Sequence, residues 1–190
     1  MQPGVDLSNY HHRRPWSYLA MRALWACVQL PFFSRTPKSL SGLRVALLRL
    51  FGAEIGKRCF IGGGTRIWVP SDLRMGDFVA IGEGVKVYNL APISIGSNTV
   101  ISQGTYLCTA THDYTDPAFR LDSLPISIGS SVWIAANVFV APGIAIGEGA
   151  VVGACSVVTR DVPAWMVCAG NPCRPLKPRV LRSESGGRKP

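Results

Sequence analysis

The chain has 190 residues, of which 47% are apolar and only 16% charged, and a net charge of +9. That length holds one domain with a continuous core, and 20 glycines with 14 prolines point to many short strands and turns. The basic excess lies mostly near the two ends, in Arg13, Arg14, Arg22, Arg35, Lys38, Arg44 and Arg49 and again from Arg174 to Lys189. No stripe of alternating basic and aromatic residues accompanies it, which argues against a nucleic-acid partner.

Six cysteines lack the paired spacing of a zinc site, so they read as reduced packing residues of a cytoplasmic protein. No apolar signal-peptide run occupies the first fifteen residues.

Residues 1–15 are polar and expected to form a flexible N-terminus, with His11 and His12 in it. Residues 16–52 are expected to form an N-terminal helical segment. In WSYLAMRALWACVQLPFF, Leu24, Trp25 and Val28 are placed to share one face. Arg22 and Pro31 leave the apolar run short of the roughly 20 residues a spanning helix needs. The helix therefore either packs on the body or a neighbouring subunit, or lies on the inner membrane leaflet beside Arg13, Arg14, Arg35 and Lys38. A second helix starts at Ser39 or Ser41 and runs through Arg49, with Gly52 as its stop.

From Ile55 an aliphatic residue recurs every sixth position. Ile55, Ile61 and Ile67 make three hexads; after a slip of two, Met75, Ile81 and Val87 make three more, and after another, Ile95, Ile101 and Leu107. Six further hexads start at Ile128, Ile134, Val140, Ile146, Val152 and Val158. Four residues after each stands a small or medium residue, such as Thr65, Ser71 or Thr111, and a glycine often follows the aliphatic one directly. A period of six is neither helical nor a plain strand alternation. It builds a parallel β-helix of about five coils, three hexapeptides each, over residues 53–163, with inward aliphatics and turns that exploit glycine's free dihedrals. The spacing itself leaves the handedness open. An excursion loop at 113–127 interrupts the repeat, and residues 164–190 are expected to supply a C-terminal cap and a disordered basic tail.

Chemistry points to one histidine. His112 stands at the root of the excursion, where an imidazole with an ordinary pKa of about 6.5 serves as a general base. Asp113 and Asp116 either orient or charge-balance it or are solvated loop carboxylates. Asn89, taken as outward-facing, either donates to a substrate or satisfies a turn. Trp133 either walls a pocket or packs between subunits. The IGEG segments are solenoid turns rather than phosphate loops, and no nucleophile elbow is present, so a covalent acyl-enzyme is disfavoured. Arg160, Arg174 and Lys177 form a basic end suited to a polyanion, or simply a solvated one.

The fifteen hexads, THDYTDPAF at 111–119, LLRLFGAEIG at 47–56 and AGNP at 169–172 resemble the hexapeptide-repeat acetyltransferases, in particular their colanic-acid and exopolysaccharide branch. The resemblance implies an all-β, left-handed parallel β-helix, a homotrimer with active sites between prisms, and acetyl-CoA as co-substrate without a metal. It implies transfer to a sugar or glycolipid hydroxyl with His112 as base and Asn89 near the acceptor; Asp113 and Trp133 are expected on the acceptor side from their place beside the loop. It carries the donor contacts over to Ala136, Ala154, Thr159, Arg160, Arg174 and Lys177, with Ala136 where relatives often have Ser and Lys177 where Arg is common. Two further possibilities are a non-catalytic trimeric solenoid and a sugar N-acetyltransferase. A hydratase resembling the γ-carbonic anhydrases would need three histidines, and the repeats hold one.

Overall fold

The computed structural model describes residues 4–10, 14–34 and 36–182. The expected disorder of the basic tail beyond Arg182 and the setting of His11, His12, Arg13 and Arg35 lie outside the described residues. Two helices, α1 (Trp16–Ser34) and α2 (Ser41–Leu50), precede a parallel β-helix. Gly52, with φ of 91°, turns the chain out of α2 into the first coil.

The first coil is β1 (Glu54–Ile55), β2 (Phe60–Ile61) and β3 (Arg66–Ile67), and the second is β4 (Leu73–Met75), β5 (Ala80–Ile81) and β6 (Lys86–Tyr88). The third is β7 (Ile93–Ile95), β8 (Val100–Ile101) and β9 (Tyr106–Cys108). A hairpin of β10 (Ala110–His112) and β11 (Leu121–Ser123) then leaves the prism. The fourth coil is β12 (Ile126–Ile128), β13 (Trp133–Ile134) and β14 (Phe139–Val140); the fifth is β15 (Ala145–Ile146), β16 (Val151–Val152) and β17 (Val157–Val158). A partial sixth turn follows: Val162 bridges to Ile146 on the first face, and β18 (Met166–Ala169) pairs with β16 on the second. There β19 (Arg174–Pro178) runs back antiparallel along β18.

The hexad aliphatics form three inward columns. Ile55, Met75, Ile95, Ile128 and Ile146 stack on the first face, with matching columns from Ile61 and from Ile67, and all are buried. Each such side chain contributes about 1.5–3 kcal/mol by leaving water. Buried corner hydroxyls are satisfied across coils: Thr99 Oγ1 donates to the Gly129 carbonyl at 2.9 Å and Thr105 Oγ1 to that of Ala135 at 3.0 Å.

Two details refine the repeat. Where a glycine directly follows an inward aliphatic, as at Gly56, Gly76 and Gly96, it serves close approach between coils. A Cβ on Gly96 would lie 2.4 Å from the Ser130 nitrogen, and one on Gly129 2.7 Å from the Glu148 nitrogen. Left-handed backbone falls on other corner residues, the glycines Gly64, Gly84, Gly104, Gly143 and Gly149 as expected of turns, and also Phe78, Asn98, Asn137 and Cys155. At the third corner Ser71 and Thr111 are exposed, while Val69, Leu73, Asn89, Ala91, Ile93 and Thr109 are buried. The two extra residues behind each slip bow this corner, and alternation along the chain turns different side chains inward.

Both ends of the prism are closed, as an exposed sheet edge requires. Beneath the first coil, α1 meets the free edge of β3 through Trp25, whose Nε1 donates to the Ile67 carbonyl at 2.7 Å, and Gln29, whose Oε1 accepts the Ile67 N–H at 2.6 Å. From α2, buried Arg44 donates to the Ile61 carbonyl at 2.8 Å and Arg49 to that of Ile55 at 2.8 Å. The stripe of α1 facing the prism includes Trp25 and Val28, whereas Leu24 points outward. No helix among the described residues is long and apolar enough to cross a membrane.

Candidate active site

The excursion is a short antiparallel arm with fixed roots. The Thr109 N–H donates to the Tyr88 carbonyl at 3.0 Å, Leu124 N–H to Thr109 at 2.8 Å, and Ile126 N–H to Pro92 at 3.1 Å. The arm therefore leaves after Cys108 and returns before Ile126, earlier at both ends than the expected 113–127, since Ile126 and Ser127 already pair in the first face with Ile93 and Ser94. His112 occupies the last rung of the arm, opposite Leu121.

Beyond that rung the two aspartates build the turn and do not orient the imidazole. Asp113 Oδ1 accepts from the Thr115 N–H at 2.9 Å and the Thr115 hydroxyl at 2.6 Å; Asp116 accepts from the Ala118 N–H at 3.0 Å and pairs with Arg120. The Thr115 hydrogen bonds hold the Asp113 carboxyl below its ordinary pKa, and Arg120 does the same first for Asp116. This folded turn places Phe119 in the left-handed region, with φ of 52°, and aims its carbonyl at His112.

The imidazole is held from its Nδ1 side. Nδ1 lies 2.7 Å from the Phe119 oxygen, and a carbonyl oxygen only accepts, so the proton sits on Nδ1 and the lone pair on Nε2. The Phe119 ring stacks on the imidazole at 5.3 Å, and Tyr10 covers it at 6.2 Å. Tyr10 comes from an N-terminal segment tied to the arm by the Asp6 N–H, which donates to the Pro117 carbonyl at 2.9 Å. A groove of about 800 Å³ opens beside it, lined by Tyr10, Tyr18, Leu19, Trp68, Tyr88 and Leu121. It adjoins a second cavity of about 420 Å³ that reaches Tyr106, whose phenol is pushed up to about 12 by burial first and by its hydrogen bond with Cys108. Sequence reading missed Tyr10, Tyr88 and Phe119; alternation from inward Val87 marks Tyr88 as outward, but nothing in the spacing signals a backbone acceptor.

Asn89 corrects the expectation of an outward residue. It is fully buried; Oδ1 accepts the Val69 N–H at 2.9 Å and Nδ2 donates to the Val69 carbonyl at 2.6 Å. The amide thus stands in for a strand rung at the bowed corner and faces the core instead of the groove.

Comparison with known proteins is decisive at this point. Residues 125–160 match the family described as bacterial transferase hexapeptide (six repeats). The chain is 46% identical over 157 residues to WcaF of Escherichia coli (strain K12), assigned as a colanic acid biosynthesis acetyltransferase, covering 83% of this chain and 86% of that one. The chain belongs to the hexapeptide-repeat acetyltransferases. Its β-helix is accordingly the left-handed one. Among solved structures, a hexapeptide-repeat acetyltransferase of Vibrio cholerae O1 biovar eltor, complexed with acetyl-CoA, superposes with a TM-score of 0.80 at 29% identity, covering 92% of this chain and 96% of the other. A maltose O-acetyltransferase of Clostridium difficile 630 superposes with a TM-score of 0.80 at 27% identity, covering 88% and 90%.

The other expected site residues of this acetyltransferase fall into separate groups. Ala136 and Ala154 stack one coil apart at the corner between second and third faces, where the Cys155 N–H donates to the Ala136 carbonyl at 2.9 Å. Arg174 begins β19 opposite Ala169, and Lys177 pairs with Val167; both side chains are exposed and neither forms an ion pair with a described residue. Thr159 and Arg160 are exposed at the opposite end of the third face, on the corner leading to Val162. Trp133 is half-exposed on the second face, its Nε1 donating to Ser102 Oγ at 3.1 Å. Among the described residues no cluster of His, Cys, Asp and Glu has the makings of a metal site.

Proposed function

We propose that this protein transfers an acetyl group from acetyl-CoA to a sugar hydroxyl during surface polysaccharide assembly, with His112 as general base. The observation that carries the reading is the His112 Nδ1 to Phe119 carbonyl hydrogen bond, 2.7 Å long. It fixes the tautomer whose Nε2 accepts a proton, on an exposed ring beside a groove lined with tyrosine and tryptophan.

In this mechanism Nε2 removes the proton from the acceptor hydroxyl as its oxygen bonds to the thioester carbonyl carbon. The resulting imidazolium is stabilised by the Phe119 carbonyl, and it returns the proton to the departing thiolate as the carbon–sulfur bond breaks. The donor fits the remaining residues. Ala136 and Ala154 present methyl groups and backbone to a thin arm, and Arg174, Lys177 and Arg160, which form no ion pair among the described residues, offer cations to phosphates. The acetyl-CoA complex of the Vibrio relative and the colanic acid assignment of WcaF support the donor and the polysaccharide setting. A cytoplasmic location follows from that donor.

The donor residues stand at two corners of one prism, so a homotrimer with the donor between neighbouring prisms is part of the reading. The outward apolar ladder of Phe60, Val100, Trp133, Val151 and Val167 on the second face supports such packing. Asp113, an anion at the tip of the arm, is assigned to the acceptor side. The test is His112→Ala assayed for thiol release from acetyl-CoA with a panel of sugars. Turnover falls about 10²–10⁴-fold while size and melting temperature persist; undiminished turnover ends the assignment.

A further inference from the structure

The helix α1 is docked by a narrow stripe and bare elsewhere. Arg22, its sole charged residue, turns inward, with its guanidinium 3.6 Å from the Trp68 ring centre. The outward side presents Trp16 (85% exposed), Met21, Leu24 (57%), Leu30 (70%) and Phe32. An apolar surface of this extent marks an interaction site.

We infer that α1 lies on an anionic lipid surface and anchors the enzyme there. Three observations select lipid over a second copy of the chain. The bare side spans more of the helix circumference than the single stripe a partner helix or strand would cover, and a lipid surface accommodates a wide arc. No acidic residue occurs from Leu7 to Ala53, whereas Arg13, Arg14, Arg35 and Lys38 bracket the helix in sequence, the charge pattern that favours anionic headgroups. Finally, α1 closes the lower edge of β3, so it sits at the N-terminal end of the prism. In the trimer of the proposed function, prisms packed side by side would present three such helices to one plane and gain avidity.

The groove beside α1 holds Tyr18 and Leu19 of the helix, and at its far end Tyr10 touches His112. On the acetyltransferase reading, docking brings the base to acceptor sugars carried on membrane lipid.

The experiment is flotation of the full chain with vesicles of phosphatidylglycerol and phosphatidylcholine in equal parts, against vesicles of phosphatidylcholine alone, at low and high salt. The protein floats with the anionic vesicles, salt weakens the association, and Leu24→Glu lowers the bound fraction about tenfold without changing hydrodynamic mass. Absence of flotation at low salt overturns the proposal. So does a Leu24→Glu protein that floats as before, or one whose assembly falls to a smaller mass, which would make α1 a contact between copies. Flotation is read without turnover, so its failure leaves the acetyl-transfer assignment standing, and inactivity of His112→Ala leaves flotation unaffected.

Discussion

Asn89 offers the sharpest test of how the bowed corner is held. Replacing it by Ala orphans the Val69 N–H, which donates to the Asn89 amide, inside a region that water does not reach, while the Val69 carbonyl loses the amide but keeps the Asp72 N–H at 3.2 Å. One orphaned buried backbone group costs about 1–3 kcal/mol. Taking about 2 kcal/mol and 2–4 °C per kcal/mol for a chain of this size, the melting temperature falls by roughly 4–8 °C. Asn89→Asp destabilises similarly, because its carboxylate keeps the acceptor but sets negative charge against the Val69 carbonyl. The assay is thermal unfolding at fixed protomer concentration, with thiol release measured well below the transition. A variant that melts within about 2 °C of the parent yet loses turnover would refute the reasoning and place the amide in the acceptor groove.

Other outcomes follow from the same geometry. Gly96→Ala forces a Cβ to 2.4 Å from the Ser130 nitrogen, so stability falls by about 1–3 kcal/mol, read by urea unfolding. Gly42→Ala, within α2 and with nothing within 4 Å of its new Cβ, raises stability by about 0.5–1 kcal/mol. Asp116→Asn loosens the turn that aims the Phe119 carbonyl, lowering kcat about tenfold with the melting temperature unchanged. Since the folded Asp116 carboxyl sits below its ordinary value of 3.8, its support of the turn is complete at neutral pH. That support is lost as pH falls below 3.8 and through the depressed value, visible as faster exchange of the Phe119 amide, which donates to Asp116. Arg174→Ala or Lys177→Ala raises KM for acetyl-CoA about tenfold with kcat little changed; an unchanged KM removes those residues from the donor site.

The inward columns were legible because burial imposes one repeated requirement on Ile55, Ile61 and every hexad start after them. The bowed corner was less so. Counting by six marked Ser71 and Thr111 only as small turn positions, while plain alternation from Val87 through Tyr88 to Asn89 turns Asn89 inward, a local signal that the longer period obscured. In α1, the spacing of Leu24, Trp25 and Val28 allowed a shared face, and the hydrogen bond from Trp25 to the edge of β3 decided which of them turned in. His112 was legible as the sole histidine among the repeats. Its orienting group was not, because Phe119 acts through its carbonyl, which every residue possesses, and the aspartates that drew attention are spent on shaping the turn.

The reversed final strand sets a limit on growth. A solenoid of parallel coils is in principle extensible, each new coil finding the same row of donors and acceptors, and two such molecules could join end to end into a fibre. On the second face the last row among the described residues belongs to β19, which runs the opposite way and holds Pro175 and Pro178 among its five residues. Proline offers no N–H to an incoming strand, so addition of another parallel coil on that face is disfavoured.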